Sequence, residues 1–426
     1  MIHRFQFCWH ITLLAIVVCA LGGCGKTDPP PFRLDMTNVV AKQIAPEQRQ
    51  TVADVLDALF GTPDEPFAHP ATGLDARKLK MSAGPVWSDE QGGKHGLYRR
   101  HCAHCHGISG DGHGPTAMIL NPYPRDYRPG IFKFKSTERA ARPTNDDLRR
   151  VVNNGIPATA MPSFALLPPD EVDALVEYVK YLSMRGQLEL ALEEYAYNES
   201  LPDPASNAEI RTVISELLTG ITDGWKEADD KVMRPEESTI PAAERTAAEI
   251  TASINKGREL FYSTKATCFT CHGPTGLGDG QQTDFDDWTK PKQIDFIKDL
   301  ADLPETIQST KQEMEKQEGE DLKRSQDRLE EQYRELSERQ MVVDHFLPIR
   351  NAIPRNLREG TYRGGGRPID IFWRISSGIA GTPMPAAPAT LTQEEIWQLV
   401  DYVHSLPFEP ASRPPKRPVN PGAVTP

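Results

Sequence analysis

Apolar residues recur at helical spacing at Val172, Leu175, Val176, Val179 and Leu182, and again over 395–406. Each segment predicts an amphipathic helix. The second opens on Thr392 and Glu395, a capping box. Pro46 to Phe60 predicts another helix, with Val52, Val55, Leu56 and Leu59 on one face and Gly61 as its stop. Ala208–Leu218 is helix-compatible as well. Residues 310–340 differ in being nearly all polar, with Glu320/Arg324, Glu330/Arg334 and Glu335/Arg339 four apart. Leu322, Leu329 and Leu336 add a thin heptad stripe, so this segment predicts a charged helix or hairpin that breaks near Gly319. Residues 11–21 form an apolar run too short to span a bilayer, and after His3 and Arg4 they have the make-up of an export-signal core. The predicted class is all-α.

The helices belong to a pattern that occurs twice. Leu97-Tyr98 and Leu260-Phe261 each lie shortly before a Cys-x-x-Cys-His motif, Cys102 to His106 in the first copy and Cys268 to His272 in the second. A Gly-rich turn follows each motif. Pro124 to Gly130 then echoes Pro354 to Gly360, and Gly155 to Pro162 echoes Gly378 to Pro385. Each copy closes with one of the two apolar-patterned segments above. Two thiols one helical turn apart can add across the vinyl groups of a haem, and the adjacent histidine then supplies the proximal nitrogen to iron. Four of the seven cysteines lie in the motifs and three (Cys8, Cys19, Cys24) near the start, which leaves none for a disulfide in the folded body. A zinc half-site would need a further ligand nearby, and a thioredoxin-like pair needs no histidine after its second thiol.

This order of opening helix, haem motif, loops, methionine loop and closing helix resembles the small monohaem cytochrome c fold, over about 94–185 and 250–408. The resemblance implies two tandem cytochrome c-like domains, each with haem c bound through Cys102 and Cys105 or Cys268 and Cys271. It implies His106 and His272 as proximal ligands, and Met161 and Met384 as sixth ligands that raise the reduction potential. Arg125 and Arg355 repeat in the Pro-Arg segment and are candidate partners of the haem propionates. Met81, Met118 and Met184 lie outside the repeat and read as packing residues. His101 and His113 read as solvated or propionate neighbours, and His345 falls in an insertion. Leu21 to Cys24 resembles a bacterial lipobox, which implies a chain lipidated at Cys24 on the extracytoplasmic, periplasmic side of a membrane. The tandem pair also resembles the dihaem subunits of haem-copper oxidases, but no stretch after residue 24 here reaches 18 consecutive apolar residues.

The expected organisation is a signal peptide at 1–23, an N-terminal extension at 24–90, a first domain at 91–185, an acidic linker at 186–249, a second domain at 250–410 and a Pro-rich tail at 411–426. The motif-to-Pro-Arg spacing is 18 residues in the first copy and 82 in the second, so the second carries an insertion at about 282–348. The charged helix of 310–340 falls within it, as a solvated spacer or a partner-docking arm. Residues 94–185 carry 13 Lys and Arg against 9 Asp and Glu, and residues 250–410 carry 19 against 26. Opposite charge on the two halves suits steering of different redox partners to different ends. A net charge of −12 speaks against nucleic acid. The expected role is therefore a membrane-anchored relay of single electrons between redox proteins or respiratory complex subunits, and not an enzyme. A dihaem peroxidase is the competing reading, and it requires an open iron position beside an acid–base group.

Overall fold

The computed structural model describes residues 31–286, 289 and 293–412. The signal peptide, Cys24 and all but the first two residues of the Pro-rich tail lie outside the described residues. The fold is all-α. Among the described residues, the chain opens with the α-helices α1 (Met36–Ala41), α2 (Pro46–Phe60) and α3 (Ala76–Ser82). Pro46 occupies the first position of α2, where its missing N–H is one that a helix start leaves unpaired anyway. Asp75 caps α3 by accepting from the backbone N–H groups of Arg77 and Lys78. A hairpin of β1 (Trp87–Ser88) and β2 (Lys94–His95) leads into α4 (Leu97–His101) and α5 (Ala103–His106), the first motif. Next come α6 (Asn145–Asn154), opened by a Thr144–Asp147 capping box, and the closing helix α7 (Pro169–Asn198).

The helix α7 runs 13 residues past 185 and is buried on nearly every side. Leu175, Leu182, Leu188 and Leu192 share one core with Val52, Leu56 and Phe60 of α2, Leu79 of α3, and Ile210, Ile214 and Leu218 of α8 (Ala208–Lys226). The N-terminal extension, the first domain and much of the acidic segment 186–249 are thus one body. Carboxylates on α7 are buried with this core because donors from the extension reach them. Glu189 accepts from Asp35 N at 2.5 Å and from Arg185 at 2.5 Å, Glu177 accepts from Asp75 N at 2.9 Å, and Glu193 accepts from the Asn38 amide. Met184 is buried in the same core, whereas Met118 is 59% exposed. Met118 therefore does not pack as its sequence context suggested: its short 3-10 turn faces solvent and presents a carbonyl to Arg350.

The second domain builds its own core from α9 (Ala247–Phe261), α10 (Cys268–His272), α13 (Pro368–Ser377) and α14 (Gln393–Ser405). Here the opening and closing helices, α9 and α14, cross in direct contact at Gly257. A Cβ there would lie 1.9 Å from the Gln398 carbonyl oxygen, so no larger residue fits without moving a helix. The insertion forms an antiparallel pair, α11 (Asp295–Met314) and α12 (Gly319–Val343), with Gly319 at φ 61° opening the second helix. Leu322, Leu329 and Leu336 are half-buried, while Leu303 and Ile307 of α11 are buried. The helical pair does not stand free along its length. Its α12 packs on α1, and Arg49 pairs with Glu338 through two bonds of 3.2 and 2.8 Å.

Candidate haem sites

The first motif sits where α4 breaks into α5. Cys102 and Cys105, His106, Arg125 and Met161 all border a single cavity of about 290 Å³, walled by Leu148, Val152, Ile156, Val176 and Val179. His101, His104 and His113 reach its edge. The His106 ring is stacked on Tyr127 at 4.7 Å and donates from Nδ1 to the Arg125 carbonyl oxygen at 3.0 Å. That bond fixes the tautomer and leaves Nε2 as a lone pair for a metal. Burial lowers the His106 pKa to about 4, so the ring is neutral at physiological pH, the form that ligates. Burial likewise pushes the Cys102 thiol up to about 12. Arg128, also near the cavity, is already held by Asp126 at 2.9 Å and Asp35 at 3.5 Å.

The second copy repeats the backbone hydrogen bonds around the motif, though not the Nδ1 bond or the ring stack of its histidine. Gly112 N donates to His106 O, and Gly278 N to His272 O, both at 2.9 Å. Tyr127 N reaches Gly110 O at 2.7 Å, and Leu357 N reaches Gly276 O at 2.8 Å. The methionine loops match as well: Ile156 N to Met161 O at 3.1 Å against Ile379 N to Met384 O at 3.2 Å. In both loops a threonine, Thr159 or Thr382, accepts from the methionine N–H and donates to the isoleucine carbonyl. Each loop starts on a glycine of φ 64–66°, and a Cβ there would lie 2.5–2.6 Å from the backbone after the methionine. His272 is half-buried, and its desolvation lowers its pKa, with the Arg355 carbonyl acting in the opposite direction.

The residues present fit haem c. Paired thiols, a neutral imidazole and a thioether are its covalent and axial donors, and the first cavity has an apolar wall for the macrocycle. The second domain adds an electrostatic argument. Arg355 and Arg363 lie close enough that Arg355 helps burial lower the Arg363 pKa, and the Nε atoms of both are buried without an acceptor. Two guanidinium groups with idle buried donors suit a carboxylate-bearing ligand between them. Among the described residues no three His, Cys, Asp or Glu side chains are arranged to hold a bare metal ion.

Sequence reading did not single out Arg363, which borders the first cavity from the second domain, or Phe346 and Leu347, which border it from the insertion. A signal for Arg363 existed: extending the repeat three residues past Gly130 and Gly360 aligns Lys133, another cavity residue, with Arg363.

Residues 93–179 match the family model described as cytochrome c oxidase, cbb3-type, subunit III. No curated protein matches the chain. A solved chain of the Kuenenia stuttgartiensis reducing HAO-like protein complex is similar at 22% identity and a TM-score of 0.41, over 73% of this chain and 94% of that one. No described helix is long and apolar enough to cross a membrane. The first motif and the cavity around it lie within the matched residues, so 93–179 is a cytochrome c-like segment, and such a domain implies covalently bound haem c.

Proposed function

We propose that the chain is a dihaem electron carrier, anchored by lipid at Cys24 on the extracytoplasmic, periplasmic side of a bacterial membrane, that relays single electrons between redox proteins. One observation carries this reading: the hydrogen-bonded frame around His106 and Met161 recurs around His272 and Met384. Bound haem c supplies a one-electron ferric/ferrous couple. The chain's own residues do the rest. His106 and His272 are held neutral by burial, and the threonine-braced loops present Met161 and Met384 as sixth ligands. Arg125 and Arg355 neutralise propionates. Held by a histidine and a methionine, each haem would pass electrons without binding substrate, which is the role of a carrier and not of an enzyme. The basic first domain and acidic second domain would receive partners of opposite charge.

The test is haem stoichiometry and ligation in the full-length protein. Two haems per chain by pyridine haemochrome and mass, both low-spin with a thioether–iron charge-transfer band, and no peroxide turnover, are the expected results. A single haem, or a high-spin haem with brisk peroxide consumption, overturns the proposal, the latter in favour of a peroxidase. For the anchor, Cys24→Ser is expected to move the protein from the membrane fraction to the soluble one.

A further inference from the structure

The two domains meet along α6 and α13, equivalent helices in the repeat, and along the loops before them. Arg150 of α6 lies over the Trp373 ring of α13 at 5.3 Å, and Arg374 lies over Phe134 at 5.5 Å. The indole N–H of Trp373 donates to Met233 O at 2.8 Å, which ties the linker into the same junction.

Two further arginines cross this junction, and both of these end on a methionine loop of the other domain. Arg139, of the first domain, donates to Met384 O at 2.8 Å and to Thr382 O at 3.1 Å. Arg363, of the second domain, donates to Ala158 O at 3.4 Å, three residues before Met161. The carbonyls that Arg139 holds belong to the methionine itself and to the threonine that braces it.

The loop bearing Arg139 is built to hold that side chain still. Residues 135–141 have no counterpart in the second copy. Lys135 is buried, and its ammonium donates to Thr137 Oγ1 at 3.1 Å, to Ala141 O at 2.7 Å and to Glu138 O. Ser136 donates through N and Oγ to Asp147 Oδ2 at 2.9 and 3.0 Å. The linker closes the other side, with Met233 N on Ser136 O at 2.9 Å and Glu138 N on Lys231 O at 3.0 Å. A planar guanidinium on such a base bridges two carbonyls in fixed geometry, which a flexible ammonium does not do.

We infer that Arg139 and Arg363 are reciprocal positioning residues: each domain supplies an arginine that fixes the methionine loop of the other, so the sixth ligand at each iron depends on the two domains being docked. Outer contacts to a ligand's own backbone tune metal binding, and domain interfaces in one chain otherwise leave relative motion free. The inference rests on the proposed methionine ligation. It goes further in making that ligation a property of the docked pair and not of either domain alone.

The experiment is proton NMR of the reduced full-length protein, where each iron-bound methionine gives its own upfield-shifted methyl resonance. Wild-type protein is expected to show two, assigned with Met384→Ala. Absence of the Met384 signal from wild type would defeat the ligation reading itself, whatever the arginines do. Given both signals, Arg139→Ala is expected to shift or abolish the Met384 resonance and to lower that haem's midpoint potential. The Met161 resonance and the haem count should stay, and Arg139→Lys should fall in between. Arg363→Ala is expected to perturb the Met161 resonance instead, and it decides the matter if Arg139→Ala does not accumulate. Unchanged methionine resonances and potentials in a folded Arg139→Ala or Arg363→Ala protein would overturn the inference.

Discussion

The two cytochrome-like domains share a hydrogen-bonded frame around their histidines and methionines and differ in almost everything that supports it. The second is self-contained: α9 crosses α14 at Gly257, and its core draws on no described residue before 254. In the first, α4 is only five residues long, and α3 of the extension packs on the closing helix in place of a long opening helix. Its core extends to Ile210, Leu218 and Trp225 in the acidic segment. The histidine settings differ too. Tyr127 stacks on His106, whereas the equivalent position beside His272 is Leu357, and His272 Nδ1 has no acceptor in hydrogen-bonding geometry. Even the methionine loops differ in strain. Ala158 stands at φ 54° where the second copy has Gly381 at φ 71°, so only the first loop places a side chain in the left-handed region. A conserved frame around the donors is thus compatible with two unlike ways of stabilising it.

On the proposed two-haem reading, the largest effect should come from removing the paired thiols of one motif at a time. Cys102→Ala with Cys105→Ala is expected to expose the extension and residues 186–230 to limited proteolysis, because they share the first core. Cys268→Ala with Cys271→Ala should leave those segments protected. Equal protease sensitivity of the extension in both variants would contradict a single shared core. Leu188, fully buried beyond residue 185, comes next. Leu188→Ala should cost about 2–5 kcal/mol of first-domain stability in denaturant melts, with the second haem's spectrum unchanged at the same midpoint.

A pH effect arises at Glu193. Burial first, and then the neighbouring Glu189 carboxylate, raise its pKa above the ordinary 4.5. The folded protein therefore keeps a proton that the unfolded chain releases. This contribution is fully present below 4.5 and is lost as pH rises toward the folded value. Thermal melts should show wild type losing more stability than Glu193→Gln on going from acid to neutral and alkaline pH. Parallel curves would count against the buried acid. The smallest effect is at Ala158, where Ala158→Gly should relieve left-handed strain and change stability by no more than about 1 kcal/mol. A loss of several kcal/mol in the same melts would show that the methyl group packs and is not strained.

Much of this was legible because it is local or repeated. Helical periodicity marked both closing segments, the capping box at Thr392 is formed, and α2 spans Pro46–Phe60 as its pattern implies. The motif itself named its chemistry. What sequence hid depends on partners far along the chain. Residues 186–198 read as acidic linker because Glu189 and Glu193 look solvated, yet two of their donors, Asp35 N and Asn38, lie more than 150 residues away. Arg139 gave no signal, since its loop has no counterpart in the other copy and its acceptors are in the other domain. The base of the charged helical pair is likewise fixed by Arg49, which no local pattern links to Glu338.

The first cavity is bordered by Phe346, Leu347 and Arg363, residues far downstream of Cys102. A group held at Cys102 and Cys105 would therefore touch side chains supplied by the later half of the same polypeptide. Its surroundings are complete only when both halves have folded together, so the environment of the amino-terminal motif reports on the folding of residues more than 200 positions downstream.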